Sequence, residues 1–270
     1  MLGKDLIHDI DFNALYQEQC RRSSFGARTA ADWDRRAEQR NRRDLNSDYN
    51  REFLARVNLE GARTALDIGC GVGNLAIPLA RRLRKVTALD FSREMLRKLD
   101  VNARRAGMSN IEMLLLSWTD SWKGVPPADV VICSRAMSVE DLRGALQKMN
   151  RQARLRCYLT LHVGGSYLGA DVLALLDRPL EPRPDYIYAV NLLYQMGLRA
   201  RVDFLRSQGG MTYASAGEFL DGIRWRIGPL STKEQKRLRQ FYRALPRDEK
   251  GQAKYRHDFE WAMLAWEKKK

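Results

Sequence analysis

The sequence predicts an α/β fold on a mostly parallel sheet, and three observations predict it. A short apolar run, Thr64-Ala-Leu-Asp67-Ile68, enters a glycine-dense turn, passes through a helical pattern, and returns as a second apolar run, Lys85 to Leu89, ending in Asp90. Further apolar runs alternate with helical stretches, and the one at Asp129 to Cys133 is apolar at nearly every position, as a strand covered on both faces should be. Late in the chain an alternating segment, Leu198 to Leu205, precedes a nearly continuous apolar one, Phe259 to Trp266, the patterns of an edge strand and of an interior strand.

Taken in order, residues 1 to 20 carry mixed helical patterning, with Leu6, Ile10, Leu15 and Tyr16 as inward candidates, and Ser23 to Thr29 reads as a loop. Ala30 to Val57 is expected to be helical with a break near Asn46-Ser47, and Tyr49, Phe53, Leu54 and Val57 fall at helical spacing. The first strand is followed by a helix from about Asn74 to Arg84, with Pro78 near its opening turn, where a missing N–H costs little. After the second strand Ser92 suits an N-cap for a helix reaching about Ala106, and Gly107 stops it in a left-handed cap. Strands are expected at Ile111 to Leu116, Asp129 to Cys133 and Arg156 to Val163, and Ser138-Val-Glu-Asp141 has capping-box spacing for the helix before the last of these. Asp185 to Met196 patterns as a helix stopped by Gly197. Ser215 to Leu220 and Ser231 to Leu245 read as helices, the second opening on Ser231-Thr-Lys-Glu234 at capping-box spacing. Lys268-Lys-Lys270 reads as a frayed tail.

The turn after the first strand is Gly69-Cys70-Gly71-Val72-Gly73-Asn74. Glycine at every second position lets backbone pass close to a ligand, where a Cβ would occupy its space or forbid the required φ. The spacing is G-x-G-x-G, whereas a dinucleotide fold prefers G-x-G-x-x-G and here has Asn74 in the sixth place. Asp67, two residues before the first glycine, would repel a pyrophosphate and suits a cationic amine. Asp90 closes the second strand, where a carboxylate can accept both hydroxyls of a ribose. These features imply a nucleoside with a positive group and no phosphate.

From about Ala62 to Leu142 the chain resembles the class I S-adenosylmethionine-dependent methyltransferases. The matching residues are Leu66-Asp67-Ile-Gly69-Cys-Gly71-Val-Gly73, Leu89-Asp90-Phe-Ser92-Arg-Glu-Met95-Leu96 and Ala128-Asp129-Val-Val-Ile-Cys133-Ser134. The resemblance implies a Rossmann-like sheet of seven strands in the order 3-2-1-4-5-7-6, the last strand antiparallel, with helices on both faces. It implies S-adenosyl-L-methionine as cofactor. Asp67 and the turn Gly69, Cys70, Gly71, Gly73, Asn74 would hold its methionine end, Asp90 its ribose, and Phe91 and Met95 would flank its adenine. Ser117 and Trp118 would lie at the adenine edge, and Cys133 and Ser134 near the methionine and the reacting methyl. The family often carries an acidic residue just after its third strand, where this chain has Ser117, with Asp120 three places on. In domain terms residues 1–58 would form a helical arm or lid, and 59–270 the methyltransferase domain, with cap elements at about 164–197 and 208–256.

The 270 residues, 44% hydrophobic, suffice for one large core or a core with a cap. No apolar run reaches the length of a membrane span, and the opening residues lack the pattern of a signal peptide, so a cytoplasmic location is expected. Cys20, Cys70, Cys133 and Cys157 form no C-x-x-C pair, so neither a zinc site nor a disulfide framework is indicated. The net charge of +14 concentrates in two flanks: eight arginines against three acids from Arg21 to Arg43, and nine basic residues against three acids from Lys233 to Arg256. Such flanks can attract an anionic substrate or nucleic acid, although solvated helix faces are the ordinary explanation.

Transfer of a methyl from a sulfonium needs alignment and exclusion of water above all, and a base only when the acceptor must lose a proton. His162, at the carboxyl end of a strand, is a candidate base, and Arg135, just past the fourth strand, a candidate partner for an anion. Trp33, Tyr49, Tyr186, Tyr188 and Tyr194 are candidate pocket aromatics. The Asn/Asp-Pro-Pro-Tyr motif of enzymes acting on base amines is missing after the fourth strand, as is the Pro-Cys pair of a cytosine-C5 nucleophile. A small-molecule acceptor, hypothetically anionic, is therefore preferred over tRNA or rRNA. A non-catalytic cofactor-binding or assembly protein is the third alternative.

Overall fold

The computed structural model describes residues 6–37 and 47–268. Its seven strands are β1 (Thr64–Ile68), β2 (Lys85–Asp90), β3 (Ile111–Leu115), β4 (Ala128–Ser134), β5 (Ala153–His162), β6 (Arg201–Tyr213) and β7 (Ala253–Glu267). They form one sheet in the order β3-β2-β1-β4-β5-β7-β6, with β7 antiparallel to both its neighbours and the other pairs parallel. This is the order that the resemblance implies, with the last strand antiparallel, and the edge and interior patterns of β6 and β7 agree with it.

Side chains alternate across the sheet. Leu66, Ile68, Val131, Cys133, Cys157 and Leu159 pack on one face against α1 (Phe12–Arg22), α6 (Leu142–Gln152) and α8 (Ile187–Gln195). Ala65, Val86, Ala88, Val130, Ile132 and Tyr158 pack on the other against α3 (Asp48–Arg56), α4 (Ala76–Ala80) and α5 (Arg93–Arg105). On α1 the inward stripe is Phe12, Tyr16 and Cys20, one helical turn apart. Leu6, Ile10 and Leu15, expected inward, are instead exposed.

Local signals fix several ends. Ser92 Oγ accepts the Met95 N–H at 3.1 Å, Gly107 and Gly197 stop their helices at positive φ, and Ser231 with Glu234 completes a capping box. Two expectations need correction. The helix after the glycine turn spans Ala76–Ala80 and not Asn74 to Arg84, because the Asn110 side-chain amide donates to the Ala80 and Leu83 carbonyls and so satisfies groups a longer helix would have used. The cap of α6 is Asp141, whose carboxylate accepts the Gly144 N–H at 3.0 Å; Ser138 accepts instead from Arg183. The expected helix from Ala30 to Val57 is α2 (Ala30–Ala37) and α3, and its part at 38–46 lies outside the described residues, as does the tail at 269–270.

β6 starts at Arg201 and runs well beyond Leu205. Its pairing with β7 continues from Arg206↔Glu260 to Tyr213↔Ala253, past the point where β5 ends at His162↔Trp261. This two-stranded ladder projects over the carboxyl edge of the sheet. It carries α9 (Ala216–Ile227) and α10 (Thr232–Ala244) with a separate core of Tyr213, Phe219, Leu220, Ile223, Leu238 and Tyr242.

Candidate active site

The glycine turn sits where β1 and β2 end, and the Gly69 N–H donates to the Leu89 carbonyl at 2.7 Å. Gly69 has φ +68, and a Cβ built on it would lie 2.2 Å from the Ala136 Cβ, so the loop after β4 closes directly onto the turn. Gly71 has φ +55, and its Cβ direction meets no atom within 4 Å, which leaves a cradle above the turn.

Asp67 and Asp90 flank this cradle, and both are buried. Asp90 accepts the Gly71 N–H at 2.8 Å and the Ser92 N–H at 2.9 Å, and each oxygen keeps a further lone pair. Burial pushes its carboxyl above the ordinary carboxylate range, opposed by those amides. Asp67 is pushed up to about 7, first by burial and then by the Asp90 charge, with the Ala76 amide opposing. Its Oδ2 and the Asn74 Oδ1 are buried with no hydrogen-bond partner. A buried carboxylate oxygen beside a second acid, above a cradle that a side chain would fill, fits a cationic ligand with hydroxyl groups. S-adenosylmethionine has both.

The arm approaches from the β2 side. Asp34 of α2 accepts from the Ser92 hydroxyl and, at 3.2 Å, from the Glu94 N–H at the start of α5. Trp33 and Ala37 pack on Val72 and Met95, and Trp33 meets Trp225 of α9 edge-on at 5.9 Å. Phe91 is exposed at the end of β2. Ser117 donates its N–H to Asp120 Oδ2 at 2.7 Å, so the acid three places on returns to the position where the resemblance expects one. Trp118 stacks on Trp122 and donates to the Ala136 carbonyl at 3.3 Å. Cys70 and Cys133 are buried thiols pushed upward by that burial, which makes them space-filling groups.

Beyond β4 and β5 lies a second cluster. Arg135, at φ +57, is the one non-glycine residue with positive φ among those described, and its N–H donates to Thr160 Oγ1 at 3.0 Å. Its guanidinium lies 4.2 Å over the Tyr49 ring and 6.0 Å from that of Trp261. Tyr49 shares 2.7 Å hydrogen bonds with the Ser134 and Thr160 hydroxyls. His162 meets Tyr167 at 4.3 Å and Trp261 at 5.3 Å, ring to ring. Burial, then the Arg183 charge and then His257 lower its pKa to about 4. Arg183 stands 5.5 Å over Tyr167.

The structure therefore gathers Tyr49, Ser134, Arg135 and His162, and separately Trp33 with Met95. It does not gather the three tyrosines of α8 and its approach. Tyr188 packs edge-on against Tyr16, Tyr186 against Phe204, and Tyr194 lies exposed beside His8, because α8 packs on α1 and α6. Sequence reasoning missed Tyr167, Arg183 and Trp261. Only Trp261 left a usable signal: in an antiparallel strand the early residues reach the edge where parallel strands end.

Comparison with known proteins agrees with this geometry. The family described as "Methyltransferase domain" matches residues 65–154. An uncharacterized protein of Haemophilus influenzae is 33% identical over 264 residues, 96% of this chain and 97% of its own length. Shorter matches are to the 23S rRNA (uracil(1939)-C(5))-methyltransferase RlmD of Hahella chejuensis, 36% identical over 25% of this chain and 16% of that protein. Another is the trans-aconitate 2-methyltransferase of Rhodococcus jostii, 30% identical over 43% of this chain and 44% of that protein. The solved structure of coclaurine N-methyltransferase with N-methylheliamine and SAH shares the fold at a TM-score of 0.52 and 13% identity, covering 99% of this chain and 90% of that one. Residues 65–154 are thus a methyltransferase domain, built on the seven-stranded sheet described above.

Proposed function

We propose that this methyltransferase acts on a small anionic molecule seated over the carboxyl ends of β4 and β5. The observation that carries the reading is the pairing of Arg135 and Arg183 across the rings of Tyr49, Trp261 and Tyr167. The partial relative named for transfer to trans-aconitate, an organic anion, supports it. In this reading Asp67 and Asn74 face the cofactor's methionine end, Asp90 takes the ribose hydroxyls on its remaining lone pairs, and Trp33 and Met95 lie toward the adenine. The bound cofactor supplies an activated methyl on a sulfonium. The chain orients it, and of the expected arm at 1–58 it is α2 that acts as the lid that keeps water out, since α1 and α3 pack on the sheet faces. Of the cap elements expected at about 164–197 and 208–256, the part before α8 and the α9–α10 pair close the acceptor side, while α8 packs on the sheet face.

Asp90→Ala is expected to weaken S-adenosylmethionine binding several-fold or more, a loss of about 1 to 3 kcal/mol from the ribose and turn hydrogen bonds. Unchanged affinity by calorimetry would refute the assignment.

The acceptor class is tested by incubating the full-length protein with methyl-labelled cofactor and two cell fractions, deproteinised small molecules and total RNA. Label in the small-molecule fraction, lost when anions are first removed from that fraction on an anion exchanger, is the expected result. A competing RNA reading draws on Lys236, Arg239 and Arg243, which stand exposed on α10, and on the partial match to an rRNA enzyme. Label in RNA, with tRNA affinity that falls steeply with salt, would favour it.

A further inference from the structure

We propose that the acceptor presents a carboxylate to Arg135 and Arg183, and that an oxygen of this carboxylate takes the methyl group, so that the product is a methyl ester. The proposal rests on the small-anion reading above and adds the acceptor atom. Arg183 spends its hydrogen bonds on neutral partners, donating to the Phe25 carbonyl at 3.3 Å and to the Ser138 hydroxyl at 2.9 Å. No carboxylate pairs with it among the described residues, so its charge remains to be matched. A planar guanidinium offers two parallel N–H groups to two oxygens, which a carboxylate provides. The rings between the two arginines displace water and strengthen that attraction.

The groups around this floor also decide which acceptor atom the chain can serve. A hydroxyl or an ammonium must give up a proton before or during methyl transfer, and something must receive it. His162 is held neutral by burial and by the Arg183 and His257 charges, with its pKa down at about 4, which makes it a weak base. Burial drives the Tyr49 hydroxyl upward, away from any role as phenolate. Asp185 accepts the Gly164 and Tyr186 amides at 3.0 and 2.6 Å. A carboxylate needs none of them. One oxygen lone pair forms the new O–C bond, the S–C bond breaks with its electron pair left on sulfur, and no proton moves. The sulfonium and the carboxylate both end neutral. The ester then loses its hold on the two guanidiniums, which favours its release.

Two measurements test this. First, succinate, citrate, tricarballylate and phthalate are titrated into the cofactor-free full-length protein by tryptophan fluorescence. At least one is expected to bind, about tenfold more weakly to Arg183→Gln and to an intermediate degree to Arg183→Lys, with thermal midpoints confirming that the variants fold. Equal binding by all three proteins, or no binding by any carboxylate, overturns the proposal. Second, the labelled small-molecule fraction is treated with alkali, which hydrolyses methyl esters to volatile labelled methanol. Alkali-released methanol is expected. Alkali-stable label in small anions overturns the ester assignment and leaves the small-anion reading standing, whereas label confined to RNA overturns both.

Discussion

Asp67→Asn is expected to bind S-adenosylmethionine at least tenfold more weakly while raising the thermal midpoint of the cofactor-free protein at pH 8. The two effects share one cause. Asp67 is a buried acid beside Asp90, pushed up to about 7 in the folded chain, against about 4 when unfolded. Between these values the folded state binds a proton that the unfolded state has released, so stability from this group falls as pH rises through that window. Above it the cost of a buried, uncompensated charge is fully present, on the order of 4 kcal/mol, and asparagine removes it. The midpoint difference between variant and parent should therefore grow from about pH 4 to about pH 7 and then level off. Cofactor binding to the parent should release protons near pH 6 to 7, as the incoming cation restores the charged carboxylate. Calorimetry in buffers of different ionisation enthalpy measures that release, and its absence would break the link between Asp67 and the cationic end.

The second large effect separates two glycines of one turn. Gly69→Ala is expected to destabilise the protein by about 3 kcal/mol or more, since it adds left-handed strain to an overlap with a close-packed neighbour. That neighbour is the Ala136 Cβ, 2.2 Å from the new atom. Gly71→Ala meets no atom within 4 Å, so only the strain of about 1 to 2 kcal/mol applies to its fold. Its methyl enters the cradle, however, and cofactor affinity should drop. Adding Ala136→Gly should recover part of the stability lost in Gly69→Ala and none of that lost in Gly71→Ala. Denaturant midpoints of the four variants decide this, and no recovery in the first pair would mean that the contact between turn and β4 loop is not what selects glycine.

Features set by neighbours along the chain were legible in the sequence. The glycine turn, the Ser92 and Ser231 caps and the stops at Gly107 and Gly197 each depend on residues within one helical turn, and the edge and interior patterns correctly placed β6 and β7. What failed depended on distant partners. Asn110 shortens α4 from 30 residues away. The stretch Arg206 to Gly210 has no strand pattern of its own, and its backbone is organised by pairing with β7. The candidate site divides the same way. Its cofactor half comes from one contiguous βαβ segment. Its acceptor half is assembled from α3, the β4 loop, β5, Arg183 and β7, which only the finished sheet brings together.

The position of β7 between β5 and β6 also constrains biosynthesis. A nascent chain that has emerged only through α10 holds two strands with unsatisfied backbone edges, β5 and β6, and nothing to fill the slot between them. Closure must wait until β7 has emerged and brings two long loops to an end at once, which predicts slow completion of the sheet and a need for chaperone protection until then.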